Sequence, residues 1–209
     1  MSVLERLASS LNQQSEAPNQ ELARQLADTQ DQESTGELAE NLWNKSPAIQ
    51  SDCVKTLYEI GYLNPELIAP YAADFLKLLS SMNNRLVWGG MTALAAIASL
   101  TADELYPHIA AIQKAMEHGS VITIDNGVAA LAGIAAQDAG YNRAIFPYLL
   151  HHLETCRLKE VPQHAEKTLV AVNAENKGEF ILLIEKRLEN ATPSQATRLK
   201  RVIKRAEIS

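Results

Sequence analysis

Four leucines stand at nearly equal intervals along the chain: Leu57, Leu94, Leu131 and Leu169, spaced 37, 37 and 38 residues apart. Each sits in a similar segment: "SDCVKTLYEIG", "GGMTALAAIA", "DNGVAALAGIA" and "QHAEKTLVAVN". Three positions later come Ile60, Ile97, Ile134 and Val172, and three earlier come Val54, Met91 and Val128. Glu166 breaks the pattern in the fourth copy. Apolar residues at this spacing form one stripe along a helix. A period of this length is the mark of a repeat architecture, in which no unit can bury its apolar face alone.

A second amphipathic segment follows each stripe: "NPELIAPYAADFLKLL", "TADELYPHIAAIQKAM", "NRAIFPYLLHHLETC" and "GEFILLIEKRL". Thr101 and Glu104 have capping-box spacing, which predicts a helix start there. Pro70, Pro107 and Pro147 are expected in the opening turns of these second helices. Each unit therefore reads as helix A, turn, helix B. With 46% hydrophobic and only 5% aromatic residues, the composition favours packed helices over a β-sandwich.

On these residues, from about Ala48 to the C-terminus, the chain resembles the HEAT-repeat family of armadillo-like α-solenoids. The small and aliphatic runs "ALAAIA" and "TLYEIG" and the prolines opening helix B carry the resemblance. It implies an all-α, right-handed α-α superhelix of about five helical hairpins. Four repeats are expected at residues 48–84, 85–121, 122–160 and 161–195. A degenerate capping repeat is expected at 19–47, its two helices capped by Asn19 and by Ser34 or Thr35. Residues 1–18 are expected to be partly mobile. A basic capping helix at 196–209 should bury Leu199, Val202, Ile203 and Ala206 and expose Arg198, Lys200, Arg201, Lys204 and Arg205.

The register assigns roles to the two adjacent glycines of "NNRLVWGGMTALAAIA". Gly90 belongs to a column of small residues with Cys53, Gly127 and Ala165, and reads as a packing glycine. Gly89 falls in a polar column with Asp52, Asn126 and His164, expected to be exposed. Trp88 lies beside it, in a column with Ser51, Asp125 and Gln163. Either Trp88 folds back over Gly89 and the neighbouring repeats, or a ligand lies across both. The second reading yields a binding ridge of Asn83, Asn84, Arg85, Trp88, Gly89, Asp125, Asn126, Gln163 and His164, with Thr123 and Lys159 nearby. An aromatic anchor among Asn and Arg donors suits a peptide or a carboxylate. Asn84, Thr123 and Asp125 can equally serve as helix caps.

Little catalytic chemistry is written in the chain. GxxxxGK[ST], GxGxxG and GxSxG have no match, and the His-Glu dipeptides of iron-binding HEAT-like hydroxylases are absent. His152 and Cys156, four apart, could share a metal with His164, but there is no second pair and no HExxH. No metal and no cofactor are expected. Cys156 near histidines is a weak case for a nucleophile, and both cysteines read as buried hydrophobes. No run reaches the length of a membrane span, and the N-terminus lacks the pattern of a signal peptide.

The function expected is a cytoplasmic, bacterial-type, non-catalytic scaffold or adaptor for a protein or peptide. The competing expectation is a nucleic-acid enzyme of the alkylpurine DNA glycosylase type, a HEAT-like class using Asp, Arg and aromatic residues, here Asp125, Arg85 and Trp88. Charge argues against nucleic acid. Residues 1–156 hold eight cationic and 18 anionic side chains, a net −10, while 157–209 carry +4.

Overall fold

The computed structural model describes residues 2–208. All regular structure among them is helical, and no strand occurs. The α-helices are α1 (Ala17–Thr29), α2 (Gln32–Glu40), α3 (Pro47–Leu63), α4 (Ala72–Leu78), α5 (Asn84–Ile97), α6 (Ala102–Leu105), α7 (Ile109–His118), α8 (Val121–Ala135), α9 (Ala139–Thr155), α10 (Val161–Thr168), α11 (Lys177–Leu188) and α12 (Pro193–Glu207). None is long and apolar enough to cross a membrane. The chain divides into two compact units, one ending at Gly127 and one beginning at Val128.

The four leucines are all buried: Leu57 in α3, Leu94 in α5, Leu131 in α8, and Leu169 in the 3-10 turn Leu169–Ala171 after α10. In the first unit α3 packs against α1, α2 and α5, and α5 also packs against α4. Gly90 allows this closeness. A Cβ there would stand 2.9 Å from Leu78 Cβ and 3.0 Å from the Phe75 carbonyl oxygen, both of α4.

The prolines divide into two kinds. Pro70 and Pro107 lie in 3-10 turns, Ala69–Tyr71 and Tyr106–His108, that lead into α4 and α7. Pro147 is instead inside α9, where its missing N–H leaves one carbonyl of the preceding turn without its helical donor. Thr101 does precede α6, but its hydroxyl donates back to the Ile97 carbonyl (3.0 Å), so it forms no capping box. Thr192 and Gln195 make the reciprocal pair instead, opening α12.

The N-terminal stretch departs from expectation. Within residues 2–18, Val3, Leu7 and Ala8 are buried, while 11–15 are exposed. The Glu37 carboxylate accepts from the Ser2 hydroxyl and, at 2.9 Å, from the Val3 N–H. Asn19 is no helix cap. Its amide donates to Asp52 (2.8 Å) and its carbonyl accepts from the Ala8 N–H (2.9 Å), while the second Asp52 oxygen accepts from the Ser9 N–H (2.8 Å). Asp31, not Ser34 or Thr35, caps α2, accepting from the Ser34 N–H at 2.9 Å. Two hydrogen bonds from Ser34 hold its carboxyl below the usual range. Met1 lies outside the described residues.

In the second unit α12 packs against α10 and α11, burying Leu199, Val202 and Ala206. Arg198, expected on the outer side, donates two hydrogen bonds to Glu166, at 2.9 and 2.7 Å. The charged residue that breaks the fourth stripe is thus the acceptor for the capping helix.

Candidate functional site

Trp88 is half-buried on α5, with its ring 5.8 Å from that of Tyr58 on α3. Tyr58 in turn meets the exposed Tyr62 edge-on at 6.0 Å. The Lys55 ammonium lies 4.8 Å from the Tyr58 ring centroid and donates to Glu59 at 2.6 Å. Glu16 bridges Lys55 (3.1 Å) and Arg85. Burial alone would lower the Lys55 pKa, but hydrogen bonds to Glu59, Tyr58 and Glu16 outweigh it and raise it. Burial pushes the Tyr58 phenol up. The result is three aromatic rings in series, flanked by two cations whose charges are matched by Glu16 and Glu59. Sequence reasoning reached Trp88 and Arg85. It missed Tyr58, Tyr62 and Lys55, which share one face of α3, and Glu16 at the start of α1, all of which meet Trp88 and Arg85 only after α1, α3 and α5 have packed.

The ridge residues have separate fates. Asn83 caps α5 by accepting from the Arg85 N–H at 3.0 Å, and Asn84 is exposed. The Trp88 carbonyl accepts from the Thr92 hydroxyl (2.7 Å), which in turn accepts from the Asn126 amide (2.9 Å). Asp125 is half-buried, and Thr123 is buried beside Ser120, whose hydroxyl accepts from the Thr123 N–H at 3.3 Å.

Gly89 corrects the expectation of exposure. It is buried, and a Cβ there would stand 2.8 Å from Val54 Cγ2 on α3. Its column is an inner one: Asp52 and His164 are buried and Asn126 is half-buried. The column of Ser51, Trp88, Asp125 and Gln163 is the half-exposed one. The first unit also carries a groove of about 810 Å³, lined among others by Leu76, Leu79, Met82, Val87, Ala111 and Ala115. Met82, in the loop before α5, is fully exposed there.

His164, in the second unit, faces His152 of α9. Their Nδ1 and Nε2 atoms are 3.0 Å apart, and the rings lie 4.9 Å apart at 45°. The Cys156 thiol completes a group whose donor atoms all lie within 4.8 Å of one another. Burial pushes that thiol up to about 11, against the opposing charge of Arg187. The raised pKa makes Cys156 a poor nucleophile.

No family model matches the chain, and no curated protein matches it either. Solved structures do. An engineered protein superposes with a TM-score of 0.68 at 18% identity, over 100% of this chain and 98% of its own. A designed armadillo repeat protein in complex with the peptide (KR)4 gives 0.69 at 18% identity, over 98% and 100%. Kap121p bound to Pho4p gives 0.67 at 14% identity, over 96% of this chain and 22% of Kap121p. At such identities the likeness is one of fold, and the fold is that of an armadillo/HEAT-like repeat protein.

Proposed function

We propose that this armadillo/HEAT-like repeat protein is a non-catalytic scaffold that binds a protein or peptide through the surface around Trp88. The observation that carries the reading is the half-exposed indole, seated on Tyr58 and next to the Arg85–Glu16–Lys55 ion cluster. A partner residue can cover the indole face while its polar backbone meets Asn83, Asn84 and Asp125. Aromatic anchors ringed by polar groups are where interfaces concentrate their energy. The solved likenesses that hold a peptide or Pho4p agree with such a role. The buried His164 and Gly89 drop out as contact residues, although both were expected on the ridge.

The ion cluster also weighs against the nucleic-acid alternative. Arg85 and Lys55 are both engaged by carboxylates, so a phosphate would have to displace them.

The test is affinity capture with the wild type and Trp88→Ala side by side. The variant should stay folded, losing about 1–2 kcal/mol with the Tyr58 ring contact. It should lose the partners that the wild type retains. Equal capture by a folded Trp88→Ala chain would remove Trp88 from the site.

A further inference from the structure

Two imidazole nitrogens that face each other at 3.0 Å cannot both present bare lone pairs. Something electrophilic has to lie between them, a proton or a metal ion. The third donor nearby is a thiol, and two nitrogens with one sulfur make a set that zinc-like ions prefer and calcium or magnesium do not. We propose that His152, Cys156 and His164 form a three-ligand site for a borderline-soft transition-metal ion of the zinc type.

Packing and chemistry both support the assignment. His152 and Cys156 stand four apart at the end of α9, and α10 packs against that helix to bring in His164. In a tetrahedral zinc shell, ligand atoms stand roughly 3.3–3.6 Å apart. The two nitrogens therefore need to part by a few tenths of an ångström. Sγ has to close by roughly 1 Å, a movement that rotation of the Cys156 side chain about its Cα–Cβ bond supplies with the backbone in place.

The surroundings hold the frame in place. Arg187 donates to the Glu154 carbonyl at 2.8 Å and to the Cys156 carbonyl, which fixes the turn that carries the thiol. Its charge favours the thiolate and opposes the ion. The Glu160 carboxylate, which acts electrostatically on both Cys156 and His164, offsets it. His164 is fully buried, while His152 and Cys156 are half-exposed. Three protein ligands with one side toward solvent leave a fourth position for water or a partner's donor group, the open rather than the closed type of zinc site.

The experiment is titration of chelator-stripped, full-length protein with Co2+, followed by displacement with Zn2+. One equivalent of Co2+ should bind and develop the thiolate charge-transfer band together with intense tetrahedral d–d bands, and Zn2+ should abolish both. Cys156→Ser should lose the charge-transfer band. Cys156→Ser and His152→Gln should each bind Zn2+ at least about tenfold more weakly, with the fold of each verified by circular dichroism. Cys53→Ser and His151→Ala should bind as the wild type does. Zn2+ should also raise the Tm of the wild type and not of Cys156→Ser. Absence of the charge-transfer band, or wild-type affinity in folded Cys156→Ser and His152→Gln, would overturn the assignment.

Discussion

At position 89 the absence of a single methyl group decides how α5 sits on α3. Val54 is β-branched and short, so it cannot swing away from a Cβ placed 2.8 Å from its methyl group. Gly89→Ala should therefore cost about 1–3 kcal/mol despite the better helix propensity of alanine. Gly178, in the first turn of α11, has nothing within 4 Å of its Cβ position. There Gly178→Ala should gain up to about 1 kcal/mol. Urea unfolding of the two variants measures both signs, and a stabilising Gly89→Ala would refute the packing account. The sequence misled at Gly89 for a definable reason. Its column mates are polar, and polar residues imply exposure unless their partners are known. Asp52 finds Asn19 and the Ser9 N–H, and His164 finds His152. Periodicity registers polarity but not the partner that satisfies it.

Among the elements, α12 is tied to α10 by the paired hydrogen bonds of Arg198 to Glu166. Glu166 and Arg198 are each more than a third exposed, so their paired hydrogen bonds contribute no more than about 1 kcal/mol after screening. The Arg198 hydrogen bonds hold the Glu166 carboxyl below its ordinary 4.5. That depressed value makes the contribution complete above pH 4.5 and erodes it as the pH falls further, through the folded value. Glu166→Gln should thus lower stability near pH 7, and the gap from the wild type should narrow below pH 4.5. A gap that widens in acid would contradict the pairing. In the repeat register Glu166 looked like a defect, because its acceptor role depends on a helix 32 residues further along the chain. Helix positions were legible to within a few residues, since they follow from the spacing of apolar side chains. Helix caps were not. Asp31, Asn83 and Ser120 accept from the first turns of α2, α5 and α8, one to three residues ahead of Ser34, Asn84 and Thr123, and neighbouring polar side chains of similar capping preference leave that choice to the backbone.

For the whole molecule, the repeat interval of the four leucines, with the helical spacing around them and the HEAT-repeat resemblance, predicts an all-α repeat fold, and the solved likenesses agree. The candidate site was less legible: Tyr58, Tyr62 and Lys55 join Trp88 from α3, and Glu16 from the N-cap of α1. Net charge belongs to this scale as well. With −10 over residues 1–156 and the cations beside Trp88 already engaged, the protein should pass through immobilised DNA at physiological salt. Retention that weakens steeply as salt rises would favour the glycosylase-type alternative.

The two thiols are unequally sealed. Cys53, on α3, is fully buried, and burial, its largest effect, pushes it up to about 12, whereas Cys156 is partly open. A maleimide dye should therefore attach to the native chain once, slowly, at Cys156. A second adduct would form only when α3 opens, so the rate of double labelling becomes a built-in clock for unfolding of the first unit.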